Sequence, residues 1–189
     1  MIKIGILGGI GSGKSYVAKK FGYPVFNADL EVGKLYKNNK KIFNKLNKIL
    51  PKYIRSFPIN KKEVSKAILA NKSNLKKIIE IVHMEVRKKM NIFLKKNRYK
   101  KIVILDIPLL LENKINHEKD VLVFIESKKS KVIKKLKKRK NFNRKIFKRF
   151  ENIQLSLDYK KKKSQFIVKN NFTNSSVKKA IKDILKKII

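Results

Sequence analysis

From Gly8 to Ser15 the chain reads GGIGSGKS, which fits G-x-x-x-x-G-K-[ST], and this run restricts the possible folds more than any other segment. An apolar strand-like stretch precedes it (Ile2, Ile4, Ile6, Leu7), and a helix-like one follows from Tyr16 to Phe21. Glycines at 8, 11 and 13 let a backbone turn tightly enough for its N–H groups to converge on phosphate oxygens. A helix opening near Gly13 adds its positive end. In such a loop Lys14 reaches the β- and γ-phosphates, and the Ser15 hydroxyl serves as a Mg²⁺ ligand. The run therefore predicts a nucleoside triphosphate site between a strand and a helix.

Four further features fix the surroundings of that loop. Apolar runs at Lys3–Leu7, Pro24–Phe26, Lys101–Leu105 and Val121–Ile125, with a fifth at Phe166–Val168, have the length and β-branched content of buried parallel strands. Each is followed by a helical pattern or a loop, which predicts an α/β sheet with crossover helices. Between the second and third runs, Leu75, Ile78, Ile79, Val82, Val86 and Met90 recur at helical spacing and predict one long amphipathic helix. Asn60 followed by Glu63 suggests a capping box for the helix before it. The whole insert, 29–98, is too regular for a loop and predicts a helical subdomain.

The segment from Lys128 to Phe150 carries no acidic residue and is dense in lysine and arginine. Its two short apolar stripes predict a helix pair joined near Asn141–Asn143, which could close over a triphosphate as a lid or simply be two solvated helices. The Lys160–Lys163 run reads as a solvated turn. Val177, Ile181, Ile184, Leu185 and Ile188 share one face of a last, core-packing helix.

A formal charge of +38 invites a nucleic-acid reading. Only six of the 51 basic residues are arginine, however, and the lysines are spread through every segment without interleaved aromatic platforms. A solvated lysine bias explains this more simply, so no specific nucleic-acid partner is expected, although anionic substrates should be attracted. There is no cysteine, and the two histidines, His83 and His117, are far apart, which leaves no disulfide framework and no expected protein metal cage. No run approaches the ~20 apolar residues of a membrane span, and no leader pattern is visible, so a cytoplasmic protein is the expectation.

Three positions could turn nucleotide binding into chemistry. Asp29 follows the second strand run and is the candidate base for an acceptor hydroxyl, with helix capping as its alternative. Asp106 ends the third run, where a carboxylate can meet Mg²⁺ or its waters, and it too could be a cap. Arg139 could bind phosphate in the bidentate manner that lysine cannot. His83 sits beside an apolar stripe and by residue type alone favours a structural role.

These residues together resemble the dephospho-coenzyme A kinase family: the GGIGSGKS loop, Asn27-Ala28-Asp29, the stretch ending at His83, and Asp106-Ile-Pro-Leu-Leu-Leu-Glu112. The match continues through Val121–Ser127, the Arg139 region, Gln154 and Ile167–Asn171. The resemblance implies a P-loop NTPase fold: three layers, α/β/α, with a five-stranded parallel sheet, a core of 1–28, 99–127 and 164–189, a helical substrate-binding insert and a lid at 128–163. It implies ATP-dependent phosphorylation of the 3′-hydroxyl of dephospho-coenzyme A, by a monomer or weak homo-oligomer. Gly11, Ser12, Gly13, Lys14, Ser15 and Tyr16 would bind ATP, with Ser15 on Mg²⁺. Lys14, Asp29 and Arg139 would be catalytic, and His83, Asp106 and Pro108 would join Asp29 at the acceptor. The chain departs from the family pattern at Tyr16, Asn27, Met84 and Lys140. Other small-molecule kinases of this fold, and a nucleic-acid-binding ATPase, are the competing readings.

Overall fold

The structure, a computed structural model, describes residues 1–139 and 142–189. Strands β1 (Ile2–Leu7), β2 (Val25–Asn27), β3 (Ile102–Asp106), β4 (Val121–Glu126) and β5 (Phe166–Lys169) form one parallel sheet in the order β2-β3-β1-β4-β5. Every apolar run read as a strand forms one, with ends moved by at most a residue. All five residues of β3 are buried, as a central parallel strand covered on both faces requires. The register sets Asn27 beside Asp106, so β2 and β3 deliver two polar side chains to the carboxyl edge of the sheet.

The described residues form two compact units. The first comprises Met1–Asn27, Asn97–Asn143 and Phe150–Ile189 and contains the whole sheet. Helices α1 (Lys14–Lys20) and α9 (Asn174–Ile188) seal one core: Val17, Ala18, Phe21, Val177, Ile181 and Ile184 pack with Ile4, Ile6, Ile104 and Val123. Burying each of these larger aliphatic side chains contributes about 1.5–3 kcal/mol before entropy is counted. The apolar face anticipated for the last helix is thus core.

The second unit comprises Ala28–Lys96 and Arg144–Arg149. Its helices are α2 (Ala28–Asn38), α3 (Lys40–Ile49), α4 (Lys61–Ala70) and α5 (Lys72–Lys96), and the first three all pack on α5. The periodicity is borne out, because Leu75, Ile78, Val82, Val86 and Met90 are buried along α5. The expected capping box is only half present. Asn60 accepts from Lys62 N, but the Glu63 carboxylate turns to Arg55 N and Ser56 N instead of returning to Asn60.

Helices α6 (Lys129–Lys137) and α7 (Arg144–Asn152) are the expected pair in the basic segment. Lys140 and Asn141, one a departure from the family pattern and the other at the anticipated joint, lie outside the described residues. The Lys160–Lys163 expectation is corrected. Lys160 to Lys162 lie in a helix, α8 (Leu157–Lys162), and Lys160 is buried and paired with Glu112. Lys161, more exposed, pairs with Glu126 at 2.6 Å, and charge density alone does not reveal which of four consecutive lysines have found a carboxylate.

Candidate active site

The phosphate loop is held in shape from beneath. Gly13 adopts φ +92°, and a Cβ there would strike Asn170 Nδ2, so this position accepts only glycine. Asn170 is buried, and its amide donates to Ser12 O at 2.8 Å, while Ser127 Oγ donates to the same carbonyl at 2.9 Å. Two side chains from the ends of β4 and β5 thereby fix the bend of the loop. Among the described residues the buried Ser12 hydroxyl has no hydrogen-bond partner, and it faces Gly8, so this residue offers its backbone to the loop rather than its hydroxyl. Val132 and Leu136 of α6 approach Gly11, where an added Cβ would lie 3.0 Å from each.

The first intrahelical bond of α1 runs from Val17 N to Gly13 O, so the amides of the turn before it need acceptors from outside the helix. Phosphate oxygens suit them. Lys14 Nζ donates to Gly8 O at 3.0 Å and Gly9 O at 2.8 Å, which curls the ammonium over the loop. Tyr16, half exposed, donates its hydroxyl to Asn174 Oδ1 at 2.9 Å. It therefore ties α1 to α9.

At the edge of the loop, Asn27 Nδ2 lies 3.4 Å from Ser15 Oγ and donates to Asp106 Oδ2 at 2.5 Å. Ser15 and Asp106 are thus brought together around one amide. An oxygen-only pair of hydroxyl and carboxylate suits Mg²⁺, which binds one or two protein oxygens and takes the rest from water and phosphates. Among the described residues no group of three His, Cys, Asp or Glu side chains could cage a metal.

Asp106 ends β3 and is followed by turns rather than a helix, so the capping alternative does not apply. Pro108, half-buried, lies in those turns, where Leu110 packs against Gly5 of β1. Asp29 is exposed at the second position of α2, inside the first turn and past the cap. His83 lies half-buried on α5, beside buried Val82. Arg139 is exposed two residues beyond the end of α6 rather than within it. Asp29 and His83 belong to the helical unit, while the loop, Asp106, Pro108 and Arg139 belong to the sheet unit.

Sequence reasoning missed the supporting contacts. The Asn170 side chain braces Ser12 and accepts from Phe172 N. Asn171 accepts from Thr173 N at the start of α9. Glu112, the last residue of the Ile-Pro-Leu-Leu-Leu-Glu turn, accepts from Leu155 N at 3.0 Å and from Lys160.

A glycine-rich loop braced by its strands, a lysine curled over it and a carboxylate at the adjacent strand end define a phosphate-loop kinase of the α/β class. The fold agrees. A crystal structure from Thermus thermophilus superposes with a TM-score of 0.77 at 24% identity, covering 100% of this chain and 98% of that one. A dephospho-CoA kinase from Campylobacter jejuni gives 0.63 at 20% identity, covering 98% and 96%. The sequence model of dephospho-CoA kinase matches residues 2–176, and the chain belongs to that family. A dephospho-CoA kinase of Wolbachia pipientis wMel is 34% identical over 96% of this chain and 95% of its own. No helix among the described residues is long and apolar enough to cross a membrane.

Proposed function

We propose that this chain transfers the γ-phosphoryl group of ATP to the 3′-hydroxyl of dephospho-coenzyme A, yielding coenzyme A and ADP. The family match over residues 2–176 carries the reading, supported by a complete phosphate loop and by Asp106 at the end of β3. The backbone of Gly11–Tyr16 binds the triphosphate, and Lys14 leaves the Gly8 and Gly9 carbonyls to meet its outer phosphates. Ser15 and Asp106 are the oxygens that would hold Mg²⁺, which when bound neutralises charge on the phosphates.

Asp29 orients the 3′-hydroxyl and accepts its proton as the oxygen attacks in line. Arg139 stabilises charge on the moving group from the basic segment, and His83 and Pro108 contact the acceptor. The insert 29–98 recognises the acceptor, and 128–163 acts as a lid that keeps water from competing for the phosphoryl group.

A coupled assay of ADP release with Mg²⁺·ATP, run with and without dephospho-coenzyme A, tests this. Acceptor-dependent ADP and a product heavier by one phosphate are expected. ADP release indifferent to the acceptor but raised by nucleic acid would overturn the assignment.

A further inference from the structure

Asn27 occupies a position where an acidic residue would give the cation site a different character. It closes β2 with Asp106 as its register partner on β3. Its amide nitrogen donates to Asp106 Oδ2 at 2.5 Å and lies 3.4 Å from Ser15 Oγ. Both oxygens suited to a hard cation therefore already face one N–H donor group. Asp106 is buried, so its charge is shielded from water and most strongly answered by that amide.

Divalent cations of this type are bound by oxygen atoms, and the affinity of a site follows the number of negative ligands it presents. Here the amide of Asn27 faces the carboxylate of Asp106. The nitrogen between the two oxygens carries partial positive charge and repels a bare cation. Its bond to Asp106 is short, whereas 3.4 Å to Ser15 is at the limit of a hydrogen bond and is easily given up. An arriving metal–triphosphate complex could take the Ser15 hydroxyl while Asn27 keeps its hold on Asp106. A free cation, lacking the phosphate oxygens, gains too little negative charge to displace the amide.

We propose that Asn27 sets the cation requirement of this site: it excludes a free divalent cation and admits one only in company with triphosphate oxygens. The inference rests on the nucleotide-binding reading of the loop and is independent of the acceptor. Aspartate, similar in shape but anionic, would make positions 27 and 106 a dianionic clamp able to hold a metal without nucleotide.

Mn²⁺ is the probe, counted by electron paramagnetic resonance of the free ion against the full-length chain, so that no turnover enters the readout. The parent chain should show no saturable site below about 1 mM Mn²⁺ alone and one site per chain when a non-hydrolysable ATP analogue is added. Asn27→Asp should gain a nucleotide-free site at least about tenfold tighter. Saturable Mn²⁺ binding by the parent without nucleotide, as tight as with it, would overturn the proposal even if the variant does not fold. So would a folded Asn27→Asp protein that gains nothing. The two readings fail separately, because a chain that takes Mn²⁺ only with nucleotide yet does not phosphorylate dephospho-coenzyme A keeps this inference and loses its acceptor.

Discussion

The ammonium of Lys160 lies 2.8 Å from Glu112 Oε1 with 1% of its side chain exposed, in a chain whose other lysines are mostly solvated. The same carboxylate oxygen accepts from Leu155 N, and Lys160 also reaches Gln154 Oε1 at 3.3 Å. This cluster joins the turn after Asp106 to the segment leading into α8. Lys160→Met should destabilise the protein by about 3–5 kcal/mol, because it strands a buried carboxylate. Adding Glu112→Leu should recover most of that loss, since a buried pair is often no more stable than an apolar replacement. Denaturant midpoints of the two variants decide the matter, and an unchanged midpoint for Lys160→Met would show the pair to be energetically idle.

Gly13→Ala tests the brace beneath the phosphate loop. The new methyl group meets Asn170 Nδ2 at a backbone position of φ +92°. A cost of about 1–3 kcal/mol is expected from the strained backbone alone. Displacing Asn170 should also leave Ser12 O with Ser127 as its remaining side-chain donor and lower ATP affinity, read by titration calorimetry. Parent-like affinity in a folded variant would show that the loop does not depend on that brace.

How much of this could be seen in the sequence varies with the range of the interaction. The five strands and α5 were legible because their apolar residues repeat locally, at the spacing each element imposes. The phosphate loop was legible because its glycines and Lys14 form a contiguous pattern. The contacts of Lys160 with Glu112 and of Asn170 with Ser12 were not, since they join residues 48 and 158 positions apart and no local pattern marks either partner. Glu63 failed as a capping-box residue for a related reason. The backbone amides of Arg55 and Ser56, brought near by the turn before α4, took its carboxylate.

Arg149 should contribute to the helical unit rather than to phosphate binding. Its guanidinium donates to Ile68 O and, at 2.8 Å, to Leu69 O, two carbonyls in the last turn of α4 that lack helical partners. Arg149→Ala should cost about 1.5–3 kcal/mol, as for bonds made by a charged donor. It should also speed amide exchange in α4 and α7 while leaving β1 and β4 protected. Exchange that rises equally in the sheet would contradict so local a role.

Tyr36 gives the stability a dependence on alkaline pH. Burial pushes its hydroxyl up to about 12 from an ordinary value of 10.0. The unfolded chain therefore loses this proton first, and the contribution of Tyr36, complete below pH 10, is lost as pH rises through 12. The loss amounts to about 2–3 kcal/mol. Lysines titrate in the same range, so the comparison is with Tyr36→Phe. The parent should lose more stability than that variant between pH 9 and 11.5, and parallel curves would remove Tyr36 as the cause.

Asp29 separates chemistry from architecture most cleanly. As the second residue of α2 it carries a negative charge where the helix dipole favours one, an effect of about 0.3–1 kcal/mol. If that were its whole role, Asp29→Asn would lower stability slightly and leave turnover nearly intact. If Asp29 accepts the acceptor's proton, the same change should reduce kcat by about 10²–10⁴-fold, because the amide cannot take the proton. ATP affinity should hardly move, since Asp29 lies outside the phosphate loop. Steady-state kinetics with both substrates varied, together with calorimetric ATP binding, distinguishes the two cases. A variant with parental kcat would leave Asp29 a helix-start residue and require another base for the 3′-hydroxyl.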